Sequence, residues 1–301
     1  MEHPVVEVID LSRSFGEKTA LDHVSFRATA GQVYGLVGSN GAGKTTFLKH
    51  LLGLLRATSG SVRIFGLDPV RDPAGVLLRV GYLSEDHELP EWMRVDELMK
   101  YTQAFHPNWD ASYARELLET FGLDPSKKIR ELSKGMRAQA GLIAAVAHRP
   151  ELLVLDEPSS GLDAVVRRDI LDAIVRAVAD DGRTVIFSSH LLDEVERMSD
   201  HVTLIHRGRV ALSGVLDDVR GAYHRSRVRF ADHLDHAPAL ETALALEGSG
   251  RVWSVVHSGS TEQFQNAVLA LGGVVVESRD ATLEEIFLAL AGRPRPREEA
   301  A

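Results

Sequence analysis

One short run constrains this chain more than any other. Gly38-Ser39-Asn40-Gly41-Ala42-Gly43-Lys44-Thr45-Thr46 fits G-x-x-x-x-G-K-[ST], a loop that cradles phosphates. Before it, residues 32–37 are almost wholly apolar and read as a strand buried on both faces. After it, Phe47, Leu48, Leu51, Leu52 and Leu55 recur at helical spacing, predicting a helix over 45–55. Strand, glycine-rich turn and helix in that order aim backbone N–H groups and a helix N-terminus at one point, which suits a polyphosphate. Lys44 would reach the β- and γ-phosphates, and the Thr45 hydroxyl would take a place on Mg2+. The run implies a nucleoside triphosphate and says nothing of its use.

The surrounding segments predict an α/β core in which to seat that loop. Val6, Val8 and Ile9, then Leu21, Val24 and Phe26, alternate with polar residues, predicting two antiparallel strands about a turn at Gly16-Glu17. Further strands are predicted at 61–65, 80–84, 152–156, 184–188 and 201–206, with helices at 134–148 and 164–178. Residues 93–121 have helical periodicity and no strand candidate, and they split at Pro107 and the cap signal Asn108-Trp109-Asp110. They read as part of a helical insertion, about 93–145, between the halves of a parallel sheet. The pattern changes after about 220. Residues 225–292 read as a small α+β appendage: strand 227–230, helix 237–246, strand 252–257, helix 261–271, strand 274–278 and helix 283–291. Residues 293–301, rich in Arg, Pro and Glu, are expected to be disordered.

Composition narrows the function classes. The 301 residues suit about two domains, and the net charge of −9 argues against a chain that grips nucleic acid through phosphates. There is no cysteine, so thiolate metal sites and cysteine nucleophiles are excluded. No run approaches the roughly 18 apolar residues of a membrane span. Met1-Glu2-His3-Pro4 has neither the basic nor the apolar region of a secretion signal. The expectation is a cytoplasmic chain that meets a membrane through a partner.

Two further runs carry chemistry. Leu152-Leu153-Val154-Leu155-Asp156-Glu157 is an apolar strand ending in two acids. There Asp156 can hold Mg2+ through water, and Glu157 can polarise an attacking water as general base. Adjacent carboxylates at a strand end repel each other unless a cation or a shared proton lies between them. Leu132-Ser133-Lys134-Gly135-Met136 lies between the phosphate loop and the acid pair.

Together with Ser160-Gly161-Leu162-Asp163 and the isolated His190, these runs resemble, in order and spacing, the ATP-binding cassette family of transport ATPases. The resemblance covers about residues 4–220. It implies a P-loop NTPase core with an antiparallel β subdomain and the helical insertion. It also implies ATP and Mg2+ as ligands, ATP hydrolysis at a dimer interface with a second such ATPase subunit, identical or not, and an integral membrane permease as partner at the cytoplasmic face of the membrane. By the same resemblance Ser133 and the backbone at Gly135 contact a γ-phosphate held by the opposite subunit, and Asp163 couples the two sites. His190 contacts the γ-phosphate and positions the water, and Phe15 stacks on adenine, although it also reads as a core residue of the first strand.

Two positions depart from the pattern. Lys134 and Met136 stand where many members have glycine and glutamine. In Tyr82-Leu83-Ser84-Glu85-Asp86, Glu85 stands where a glutamine usually meets Mg2+, and a carboxylate can serve there. Leu89-Pro90-Glu91-Trp92-Met93-Arg94-Val95 and Phe105-His106-Pro107-Asn108-Trp109-Asp110 resemble a bacterial export subgroup. Trp92, Met93 and Trp109 are then expected on a docking surface, the alternative being ordinary core residues. Lys127, Lys128 and Arg130 read as a solvated basic face. A cassette ATPase acting on nucleic acid or ribosomes is disfavoured, because there is one phosphate loop and no room between Lys44 and Ser133 for a long coiled coil.

Overall fold

The computed structural model describes residues 4–86, 88–179 and 182–292. The chain divides into two compact units, one through Ser213 and one from Gly214. The predicted tail, 293–301, lies outside the described residues.

In the first unit β1 (Val6–Phe15) turns at Gly16, φ 58°, into β2 (Lys18–Ala28), the predicted antiparallel pair. All five residues of β3 (Val33–Val37) are buried, as a run with no polar alternation requires. α1 (Lys44–Leu51) is shorter than its apolar spacing predicts. Gly53, at φ 70°, reverses the chain, and the Leu54 N–H bonds back to the Lys49 carbonyl at 3.0 Å. That glycine closure ends the helix and leaves Leu55 outside it. β4 (Ser59–Ile64) pairs with β1 on the side away from β2 and completes a three-stranded antiparallel sheet.

The chain then passes through α2 (Pro73–Leu77), β5 (Val80–Leu83), α3 (Val95–Gln103), α4 (Ala111–Thr120), α5 (Lys134–Val146), β6 (Leu152–Asp156), α6 (Ala164–Ala179), β7 (Thr184–Ser189), α7 (Leu192–Met198), β8 (His201–His206) and β9 (Arg209–Val215). Six strands form one sheet in the order β5-β6-β7-β3-β8-β9, and β5, β6, β7, β3 and β8 pair in parallel. The helical segment between β5 and β6 is the predicted insertion, split by the Asp110 side chain, which accepts the Tyr113 N–H and caps α4.

The core of this unit joins both sheets through α1. Phe26 meets the rings of Phe47 and Tyr34 edge-on, with centroids 5.4 and 5.7 Å apart, and Leu48, Val154 and Ile186 are buried in the same cluster. The packing fixes the height at which β3 releases the phosphate loop. Trp92 is 69% exposed, as a docking surface requires, whereas Trp109 is half-buried. Met93 belongs to the core, 6% exposed, because its carbonyl is pinned by the Ile129 N–H and its side chain turns inward.

The second unit holds α8 (Leu216–Ala222), β10 (Tyr223–Leu234), β11 (Ala243–Ser258), α9 (Thr261–Ala270), β12 (Gly273–Asp280) and α10 (Leu283–Ala291), with an antiparallel sheet in the order β11-β10-β12. The boundary predicted near 220 falls inside α8, and the structural division comes earlier, within β9. The helix predicted at 237–246 does not form. Ala243 and Leu246 pack against the core of Val228, Phe230, Trp253 and Phe264, and the Ser258 N–H bonds to the Thr242 carbonyl at 3.2 Å. Helix propensity there yields to strand packing.

Candidate functional site

The phosphate loop stands between β3 and α1 with a glycine at each point of close approach. Gly43 has φ 114°, and a Cβ there would lie 2.6 Å from the Ala20 carbonyl oxygen. A Cβ on Gly38 would lie 2.4 Å from the Ile205 carbonyl oxygen. No side chain caps α1, so its first N–H groups stay available to an anion, whereas α4 and α5 are capped by Asp110 and Ser133.

Residues 39–46 of the loop line a cavity of about 440 Å3 together with Phe15, Lys18, Ala20, Glu85 and Glu157. Phe15 is 46% exposed, so it is a wall of this cavity and not a core residue. The Arg13 guanidinium lies 4.5 Å from its ring centroid and stiffens it.

Charge is concentrated at the floor. The Lys44 ammonium donates to the Gly38 carbonyl at 2.7 Å and lies 3.1 Å from Glu157 Oε1, with the two side chains 6% and 5% exposed. The other Glu157 oxygen is 2.6 Å from His190 Nδ1 and accepts the His190 N–H at 3.3 Å. Glu157 thus sits between the loop lysine and the histidine. Its backbone has φ 49°, a region that a residue with a side chain rarely occupies.

Ser188 holds that conformation. Its hydroxyl donates to Asp156 Oδ1 at 2.6 Å and accepts the Glu157 N–H at 2.9 Å. Sequence reasoning missed Ser188, although the Ser188-Ser189 pair ahead of His190 was a signal for it. It also missed Lys18 and Ala20, which reach the cavity only through the β1–β2 turn.

Glu85 is pushed up from the ordinary carboxylate range, first by burial and then by the nearby Asp156 and Glu157 carboxylates. Tyr82 is pushed up to about 12 for the same reasons, burial first and Asp156 next. Glu85 therefore feels more negative charge, from Asp156 and Glu157, than the nearby Lys44 offsets.

Ser133 and Gly135 do not line the cavity. Ser133 caps α5 by accepting the Met136 N–H at 3.2 Å, which leaves its hydroxyl proton free to donate. Asp163 caps α6, accepting the N–H groups of Val165 and Val166 at 3.0 and 3.1 Å. The structure therefore brings together the phosphate loop, Glu85, Glu157, His190 and Phe15, and holds Ser133, Gly135 and Asp163 at other helix starts.

Comparison with known proteins agrees with this geometry. Residues 21–160 match the family described as ABC transporter. The daunorubicin resistance ATP-binding protein DrrA3 of Streptomyces coeruleorubidus is 33% identical over all of this chain and all of its own. The bacitracin transport ATP-binding protein BcrA of Bacillus licheniformis is 33% identical over 68% of each chain. A solved ATP-binding subunit of an ABC transporter superposes with TM-score 0.67 and 31% identity, over 72% of this chain and 92% of its own. These matches and the site's geometry lead to one conclusion: the chain belongs to the ABC transporter family, as an ATP-binding subunit that hydrolyses ATP.

Proposed function

We propose that this chain works as one of a pair of ATPase subunits that close on ATP at the cytoplasmic face of a membrane and drive export through a separate integral membrane permease. One observation carries the reading: the cavity holds the phosphate loop and Glu157, while Ser133 and Gly135 begin a different helix outside it. A second subunit's Ser133, whose cap on α5 takes only the Met136 N–H and leaves its hydroxyl proton to donate, and the backbone at Gly135 supply the donors that this cavity lacks on its open side. The names of DrrA3 and BcrA support export. No helix among the described residues is long and apolar enough to cross a membrane, so passage of a cargo is assigned to the partner.

In the site, Phe15 stacks on the adenine, backbone N–H groups of residues 39–46 hold the phosphates, and Lys44 leaves Glu157 to meet the β- and γ-phosphates. Glu157, freed of Lys44, takes the proton of the attacking water, and His190 fixes its carboxylate and reaches the γ-phosphate. Thr45, Asp156 and Glu85 fit a hard cation, since the carboxylates already repel one another there. Among the described residues no group of three or more His, Cys, Asp or Glu forms a metal site of its own. That suits Mg2+, which takes one or two carboxylates and completes its shell with substrate phosphates and water. When bound it neutralises charge on the transferring phosphoryl group.

The permease is assigned to a groove of about 900 Å3 in which Leu54, Leu77, Leu78 and Phe105 are exposed beside Asp86 and Glu88. Glu157→Gln, mixed with ATP, is expected to elute as a dimer on size-exclusion chromatography. A variant that binds ATP and still elutes as a monomer counts against the paired site.

A further inference from the structure

Outside the cavity, one carboxylate is buried without any role in binding nucleotide. Glu194, in the first turn of α7, has a side chain 3% exposed. The Ser159 hydroxyl donates to its two oxygens at 2.8 and 2.7 Å, one proton shared between them. The Ser189 hydroxyl donates to Oε2 at 3.1 Å, its own oxygen being occupied by the Leu191 N–H at 3.0 Å. Arg167 Nε lies 3.5 Å from Oε1.

These partners come from three segments that the chemistry uses separately. Ser159 lies two residues after Glu157, at the head of the loop running to Asp163. Ser189 ends β7 and is joined directly to His190. Arg167 lies in the first turn of α6, and its N–H donates to the Asp163 carbonyl at 3.0 Å. None of the four side chains lines the nucleotide cavity. A buried carboxylate is costly unless donors surround it, and an apolar side chain of the same size would pack here without that cost. A carboxylate, with two acceptor oxygens, suits a place where donors from three separate segments must be kept in one mutual register.

We propose that Glu194 is a positioning residue that ties the loop after Glu157, the strand end carrying His190 and the start of α6 into one unit, so that base, histidine and Asp163 keep a fixed spacing as ATP arrives. The assignment deepens the reading above and rests on it for the roles of Glu157 and His190.

Glu194→Gln keeps the volume but withdraws the charge facing Arg167 and one of the two acceptors. Ser159→Ala deletes a single donor and serves if the first variant folds poorly. The first readout is amide hydrogen exchange on the nucleotide-free full chain, which needs no turnover. Exchange is expected to rise together at 159–163 and 189–192, by about tenfold or more, with 38–46 unchanged. The second readout is ATP hydrolysis: kcat falls by about 10- to 100-fold while KM for ATP stays within about twofold. The double variant is no worse than Glu194→Gln alone, since both act on one network.

Unchanged exchange, or a rise in only one of the two segments, overturns the assignment. So does a lowered melting temperature with kcat intact, which would reduce Glu194 to packing. If the unaltered chain shows no turnover that Glu157→Gln removes, the hydrolytic reading fails, and the exchange result still decides whether Glu194 ties the segments.

Discussion

Glu157→Gln tests the floor of the site more sharply than loss of turnover does. Lys44 is held by the Gly38 carbonyl and by Glu157 Oε1 at 3.1 Å, both side chains nearly out of water. A phosphate must take Lys44 from that carboxylate. The amide has the same shape and no charge, so it gives up Lys44 more readily. A hydrogen bond to a charged partner contributes about 1.5–3 kcal/mol, and each 1.4 kcal/mol is about tenfold in affinity. Nucleotide binding should therefore tighten by about 10- to 100-fold, while hydrolysis falls by about 100- to 10,000-fold as the general base is lost.

Calorimetric titration with ATP and with ADP separates this effect from dimer closure. Trapping a closed pair tightens only ATP, because ADP brings no γ-phosphate to a partner subunit, whereas a released Lys44 tightens both. If Glu157→Gln binds ADP no better than the unaltered chain, the lysine–glutamate contact does not compete with phosphate and the reasoning fails.

Two further outcomes follow from particular contacts. Phe15→Ala should weaken ATP by about 5- to 100-fold through the loss of one stacking face, read by fluorescent-nucleotide displacement, and a change below twofold removes Phe15 from the site. His148 and His257 are both held down to about 4, mainly by burial, with His106 and His224 respectively adding to the effect. The unfolded chain takes up these protons near 6.5 while the folded chain does not, so stability is complete above pH 6.5 and is lost as the pH falls from 6.5 towards 4. At pH 5 the loss is about 2 kcal/mol for each histidine. Thermal unfolding should show the midpoint falling between pH 7 and pH 5, and a flat profile contradicts the burial argument.

The phosphate loop and the acid pair were legible in the sequence as local runs suited to a triphosphate and its cation, while His190 entered only through the family resemblance. A glycine must stand where a Cβ would strike a carbonyl, and a lysine must follow the last glycine, whatever the rest of the fold does. Glu85 was placed through the family resemblance of Tyr82-Leu83-Ser84-Glu85-Asp86, and the structure adds that burial and two carboxylates push it up. Where the outcome depends on distant packing, the same reasoning stopped. Residues 237–246 are rich in Ala and Leu and read as helix, yet Trp253 and Phe264 draw Ala243 and Leu246 into a strand. Met93 looked like a docking residue beside Trp92 until the 3-10 turn at Ile129–Glu131 covered it.

Glu194 shows the same limit from the functional side. In sequence it is a glutamate between an aspartate and a valine on a short helix, the ordinary signature of a solvated helix start. Its partners stand 35, 27 and 5 positions away, and only the parallel pairing of β6 with β7 brings Ser159 and Ser189 to one place. Residues that touch a ligand are constrained by the ligand and leave a local motif. Residues that hold those in place are constrained by the sheet and leave none, so a buried charge with several donors is the structural mark by which they are found.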